Sequence, residues 1–135
     1  MFKIRADQAD TLADDDLVRR IIAYLQVRMP DKIARHDPFD LRAVILHCFE
    51  IARSYAIHSE RGLFTFVMDM LAVGPCFHVQ PKIQAILDRR DIDEQVRLDR
   101  IVDDVDDAAW EEAARITDPA AYWDDVLAEA DKTRR

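Results

Sequence analysis

Residues 55–74 read YAIHSERGLFTFVMDMLAVG, and how they fold decides the architecture of everything around them. A charged turn, His58 to Arg61, runs into an apolar segment, Leu63 to Val73, that carries one carboxylate, Asp69. The segment ends at Gly74, one of 2 glycines in the chain. It is far shorter than the roughly 20 apolar residues a membrane span needs. Ser59 suits a helix N-cap and Glu60 the first turn, where a carboxylate opposes the helix dipole. Gly74 suits the left-handed position after a helix, with Pro75 just beyond. The spacing therefore predicts a helix over 60–73. Leu63, Phe64, Phe66, Val67, Met68, Met70, Leu71 and Val73 make it apolar nearly all round, so it is expected to be buried on every side.

A buried helix needs other helices around it, and the flanking sequence supplies them. Leu17, Val18, Ile21, Ile22, Leu25 and Met29 recur at three- and four-residue steps and predict a helix over 16–29. Asp14, Asp15 and Asp16 are expected at its start, against the dipole, and Pro30 at its end. Asp37 is read as the next N-cap, with Pro38 in the first helical position. Leu41, Val44, Ile45, Cys48, Ala52 and Tyr55 then share one face as far as Ala56. Pro81 opens another helix, with Ile83, Ile86 and Leu87 inward. Residues 92–105 continue with Val96, Leu98, Ile101 and Val102. Trp110 lies in DDAAWEEAARI, and Asp118 with Pro119 starts the last helix, whose end is expected to fray. The opening MFKI is expected to be a short extended arm.

Composition agrees. The chain has 135 residues, half of them apolar and about a third charged, which fits one globular domain. With 2 glycines, 5 prolines and no asparagine, it lacks the turn residues a sheet protein consumes. The expected fold is a single-domain all-α bundle over 1–135, with acidic C-terminal helices at 91–135. Two cysteines make no disulfide framework, and the charged opening MFKIRADQAD has no signal-peptide core, so a cytoplasmic location is expected.

Charge is distributed unevenly. Residues 1–90 hold 13 basic and 12 acidic side chains, a net of +1, whereas 91–135 hold 6 and 15, a net of −9. An acidic end repels phosphates and favours a basic protein partner, although a solvated helix surface is the plainer reading. Asp103, Asp104, Asp106 and Asp107, with the nearby aromatics Trp110, Tyr122 and Trp123, are the candidate contact residues. Neither nucleic acid nor membrane is expected as a partner.

Residues for chemistry are sparse. His36, His47, His58, His78, Cys48 and Cys76 show no paired metal-ligand spacing, so no metal or other cofactor is expected. His47 and Cys48 are adjacent in a helix and point about 100° apart. Paired aspartates such as Asp124 and Asp125 diverge in the same way. Nucleotide-binding and hydrolase motifs are absent, and the glycine supply excludes a phosphate-cradling loop. Cys76 could serve as a nucleophile beside a histidine. Asp69, a carboxylate inside an apolar helix, should meet a helix N-terminus or a cation, for which Arg53, Arg61 and His47 are the candidates.

The stretch from Ile51 to Ile101 resembles a family of small helical bacterial proteins encoded beside type VI secretion spike components and their effectors. Its pattern of a Tyr-Gly-Ile-x-x-Glu turn, an apolar helix, a Leu-Gly-Pro-x-Phe exit, an Ile-Leu pair and an Arg-Leu-x-x-Ile segment is matched by Tyr55, Ile57 and Glu60; Val73, Gly74, Pro75 and Phe77; Ile86 and Leu87; and Arg97, Leu98 and Ile101. The opening IRADQ is also similar. Ala56 stands where the family has glycine, and CFHVQPK replaces a more acidic stretch. The resemblance implies a non-enzymatic adaptor or chaperone that binds a secreted effector, toxin or spike component. An immunity protein that neutralises a toxin is the alternative, and a small enzyme using Cys76 or Asp69 a distant third.

Overall fold

A computed structural model describes the backbone of residues 6–33, 36 and 38–133, and the side chains of 13–33, 36 and 40–132. The expected N-terminal arm, the Asp37 cap and the frayed end past Thr133 lie outside these. The order is α1 (Ala6–Arg28), α2 (Pro30–Ile33), α3 (Pro38–Ser54), α4 (Glu60–Ala72), a 3-10 turn (Phe77–Val79), α5 (Pro81–Leu87), α6 (Glu94–Asp103), α7 (Asp107–Ala114) and α8 (Pro119–Thr133). The fold is an all-α single domain, and no strand occurs among the described residues.

The caps explain most boundaries. The Ser59 hydroxyl accepts from Gly62 N at 3.0 Å to start α4, as its position predicts. Gln80 caps α5 through Lys82 N and Ile83 N, with Pro81 in the first turn. Asp93 caps α6, so the helix expected over 92–105 runs from Glu94 to Asp103, and Asp106 caps the separate α7. Asp118 accepts from Ala121 N ahead of Pro119.

The core is one continuous cluster. Leu17, Val18, Ile21 and Leu25 of α1 meet Leu41, Val44, Ile45, Cys48 and Phe49 of α3, and Leu63, Phe66, Val67 and Met70 of α4. α3 packs against α1, α4 and α8, while α4 also meets α6. Phe77, Ile83, Leu87, Leu98 and Ile101 complete the interior on the C-terminal side. α4 belongs to the core as expected, but not on every side: Phe64, Met68 and Leu71 are only half-buried. Val96 and Val102 of α6 face solvent.

Two local expectations are overturned. The helix predicted from residue 16 begins at Ala6, because ADQADTLA contains no breaker and the carboxylates at 14–16 are not needed as caps. Those carboxylates tie α1 down instead. Arg53 grips both oxygens of Asp14 at 2.7 and 3.0 Å, Arg42 pairs with Asp15, and Arg20 pairs with Asp16. The second concerns glycine. Neither glycine has positive φ; among the described residues the one left-handed residue is Ala56, at φ 59°. At Gly74 a Cβ would lie 3.4 Å from the Ala113 carbonyl and Ala114 backbone at the end of α7, an ordinary van der Waals distance, so no steric demand for glycine arises there.

Candidate functional site

The turn from Tyr55 to Ser59 is where the residues carrying the sequence motif converge. A left-handed alanine costs about 1–2 kcal/mol, so something must hold it. Arg97 does. Its guanidinium, 1 % exposed, donates to Tyr55 O at 2.6 Å, Ala56 O at 3.2 Å and Leu87 O at 2.7 Å, and its Nε donates to Ile92 O at 2.9 Å. One cation thus collects the carbonyls of three segments. Burial lowers its pKa from the usual range, and nearby Glu94 partly offsets this. Glu94 works from the opposite side of the turn, accepting from His58 N at 2.8 Å and Ser59 N at 2.9 Å. Burial disfavours its charge, but these hydrogen bonds outweigh that and hold its pKa below the ordinary glutamate value. Gly62 is required here. A Cβ on it would come within 2.7 Å of Ile57 Cγ2 and 2.9 Å of Glu94 Oε1.

The motif residues Tyr55, Ile57, Phe77, Leu87, Leu98 and Ile101 are all buried. They specify packing, and Arg97 and Glu94 specify the joint. An open depression of about 520 Å³ lies over it, lined by Arg90, Asp91, Asp93 and Gln95 beside Arg97 and Glu94. Both signs of charge mix there.

The interior also holds a polar network that the sequence concealed. Gln84 donates to Tyr55 Oη at 3.3 Å, and Tyr55 Oη lies 2.9 Å from His78 Nδ1. Which of the two donates in the Tyr55–His78 bond depends on the imidazole tautomer. His78 Nε2 is buried and has no partner among the described residues. Burial pulls the His78 pKa down to about 4, so the ring is neutral at pH 7. His78 is thus a core residue. His47 is half-buried, its Nε2 2.6 Å from Tyr122 Oη; burial lowers its pKa and pushes Tyr122 up to about 12.

The predicted cations for Asp69 all go elsewhere: Arg53 to Asp14, His47 to Tyr122, and Arg61 to solvent. Asp69 has no side-chain hydrogen bond or ion pair among the described residues, and burial pushes its pKa up to about 7. In place of the expected ion pair stands a carboxyl whose burial favours the protonated form. Cys48 is fully buried and Cys76 half-buried; burial raises both thiols and disfavours the reactive thiolate. No group of three or more metal-binding side chains occurs among the described residues.

The expected contact residues divide into three kinds. Asp103, Asp104 and Asp107 are exposed. Asp106 is exposed but committed: it caps α7 through Ala109 N at 2.9 Å and meets Lys82 Nζ at 3.0 Å. The aromatics face inward. Trp123 is 4 % exposed and belongs to the core, because α8 lays it on α3 beside His47. Trp110 is half-buried, stacked on Phe77 with 12° between planes, and donates to Ile101 O at 3.1 Å. Tyr122 is half-buried on His47. Trp123 is therefore removed from the contact set, and the exposed apolar side chains beside the acidic groups are Val96, Val102 and Ile116.

The chain matches no protein-family model, no curated protein and no solved structure. Most of the residues that carry the resemblance drawn from the sequence are buried or half-buried, whereas Glu60 is exposed. Among the described residues no helix is long and apolar enough to cross a membrane.

Proposed function

We propose that this chain is a non-enzymatic protein-binding accessory of a type VI secretion locus, an adaptor or chaperone that receives an effector in the cytoplasm. The supporting observation is the division of polar labour. Four polar side chains are engaged in internal contacts: Arg97 on carbonyls, Glu94 on amides, Tyr55 on His78, and His47 on Tyr122. The other acidic groups of α6 and α7, by contrast, face solvent. A field of one sign on one end steers a basic partner and excludes phosphate-rich ones. The motif resemblance supplies the biological setting.

An immunity protein would use the same acidic face against a basic toxin, and a cell assay separates the two. Each product encoded beside the gene is co-expressed with this chain. An adaptor raises secretion of one of them without protecting a cell that makes it. An immunity protein restores growth and leaves secretion unchanged. If no neighbouring product binds the purified chain, with or without salt, the accessory reading fails.

A further inference from the structure

A second surface lies on the opposite kind of ground, between α1 and α4. Both helices pack on α3, but they make little backbone contact with each other. Arg20 Nη2 reaches Glu60 Oε1 at 2.8 Å, and the Tyr24 and Phe64 rings meet edge-on at 5.0 Å. Four residues along α1 thus match four along α4, so the helices run side by side in one direction over this turn. Between them lies a depression of about 380 Å³, with Leu17 and Ile21 at its base and Tyr24, Phe64, Arg20 and Arg61 at its rim. The apolar lining continues outward. Tyr24 is 42 % and Val27 77 % exposed, and Met68 and Leu71 are half-buried one and two turns past Phe64. The cations of this face are partly free. Arg20 is held by Asp16 and Glu60, but Arg61 and Arg28, one turn beyond Tyr24, are exposed and form no ion pair among the described residues.

We infer that the α1–α4 groove is a docking site for an acidic amphipathic helix of another protein. A row of apolar side chains at three- and four-residue steps on two parallel walls matches the apolar stripe of a third helix. The unpaired Arg61 on the rim, with Arg28 one turn beyond Tyr24, selects carboxylates on that helix's polar edges. A nucleic acid would satisfy the arginines but leave Tyr24, Val27 and Phe64 uncovered. This site is separate from the acidic end and does not depend on the role proposed for that end.

The test uses the full chain and labelled peptides of about 18 residues, five helical turns. One carries leucines at helical spacing with glutamates elsewhere. A second has the same composition scrambled, and a third has glutamine for glutamate. Fluorescence anisotropy should show saturable binding of the first and none of the scrambled peptide. Arg28→Glu with Arg61→Glu should weaken binding by about tenfold or more, and Val27→Glu by a similar factor, circular dichroism remaining unchanged. Because both arginines and Val27 are exposed, these variants keep the fold. Three results would overturn the inference: no binding of the first peptide, equal binding of the glutamine version, or indifference to the substitutions. A chain that sediments as a dimer and is split by Val27→Glu would also overturn it, since the groove would then be covered by a second copy.

Discussion

The joint around Ala56 and the acidic stretch around Asp104 are built from the same kinds of residue and use them in opposite ways. At the joint, Arg97 and Glu94 are fixed by six hydrogen bonds, every one to backbone atoms. In the stretch from Asp103 to Asp107, the carboxylates face water, and the one that is committed, Asp106, works as a cap. A charge aimed at backbone carbonyls or amides inside the protein is part of the frame. A charge aimed at water is available to a partner. The lesson is that a count of ionisable residues says nothing about role until the partner atoms are known.

The comparison can be broken most severely at Arg97. Arg97→Met keeps the apolar stem and deletes every donor, leaving buried carbonyls of Tyr55 and Leu87 unmatched. The expected cost is about 3–5 kcal/mol in urea unfolding. A loss under about 1 kcal/mol would mean that the turn holds itself. Glu94→Gln removes the charge but not the shape and should cost about 1–2 kcal/mol near neutral pH. The folded pKa of Glu94 lies below the unfolded value, so its contribution is present above pH 4.5 and is lost as pH falls through the folded value. The variant should therefore show a flatter stability profile in acid.

Asp69 sharpens the contrast with the opposite sign. Its folded pKa, about 7, lies above the ordinary 3.8, so the folded state binds an extra proton between those values. Stability from this group is full in acid and falls as pH rises from about 4 to 7. Asp69→Asn should stabilise the protein by roughly 1–3 kcal/mol at pH 8 and change little at pH 4, read from melting temperatures across that range. Ala56→Gly is expected to stabilise by up to about 1 kcal/mol, since glycine adopts the left-handed conformation without strain. A destabilised variant would show that the alanine methyl packs well enough to outweigh its backbone cost. The smallest effect belongs to the acidic face. Replacing Asp103, Asp104 and Asp107 with Asn, and sparing the Asp106 cap, should move stability by no more than about 0.5 kcal/mol. The same change should lower the association rate with a basic partner at low salt and flatten its salt dependence.

The fold was legible wherever one residue type has one local job. Ser59 before an apolar run, and prolines at 38, 81 and 119, mark helix starts because their preference is set within a few residues. Legibility failed where a residue's job is set across the molecule. Asp14 reads as a helix-start carboxylate but belongs to Arg53, 39 residues away. Gly74 reads as a left-handed terminus but does not take positive φ. Trp123 sits among aspartates and reads as a surface anchor, yet α8 rolls it onto α3. The sequence does not single out Glu94, and it marks Arg97 only as a motif residue beside Leu98 and Ile101, the edge of the buried face.

The seating of the two tryptophans has an optical consequence. Trp110 stacks on Phe77 and Trp123 lies under α8, so both chromophores sit on the C-terminal side of the molecule. Their emission will follow the docking of α7 and α8. The His47 ring lies 6.1 Å from Trp123, close enough for an imidazolium to quench it. Acidification through the depressed pKa of His47 should therefore dim Trp123, giving a label-free gauge of whether α8 still rests on α3 while peptides are titrated into the α1–α4 groove.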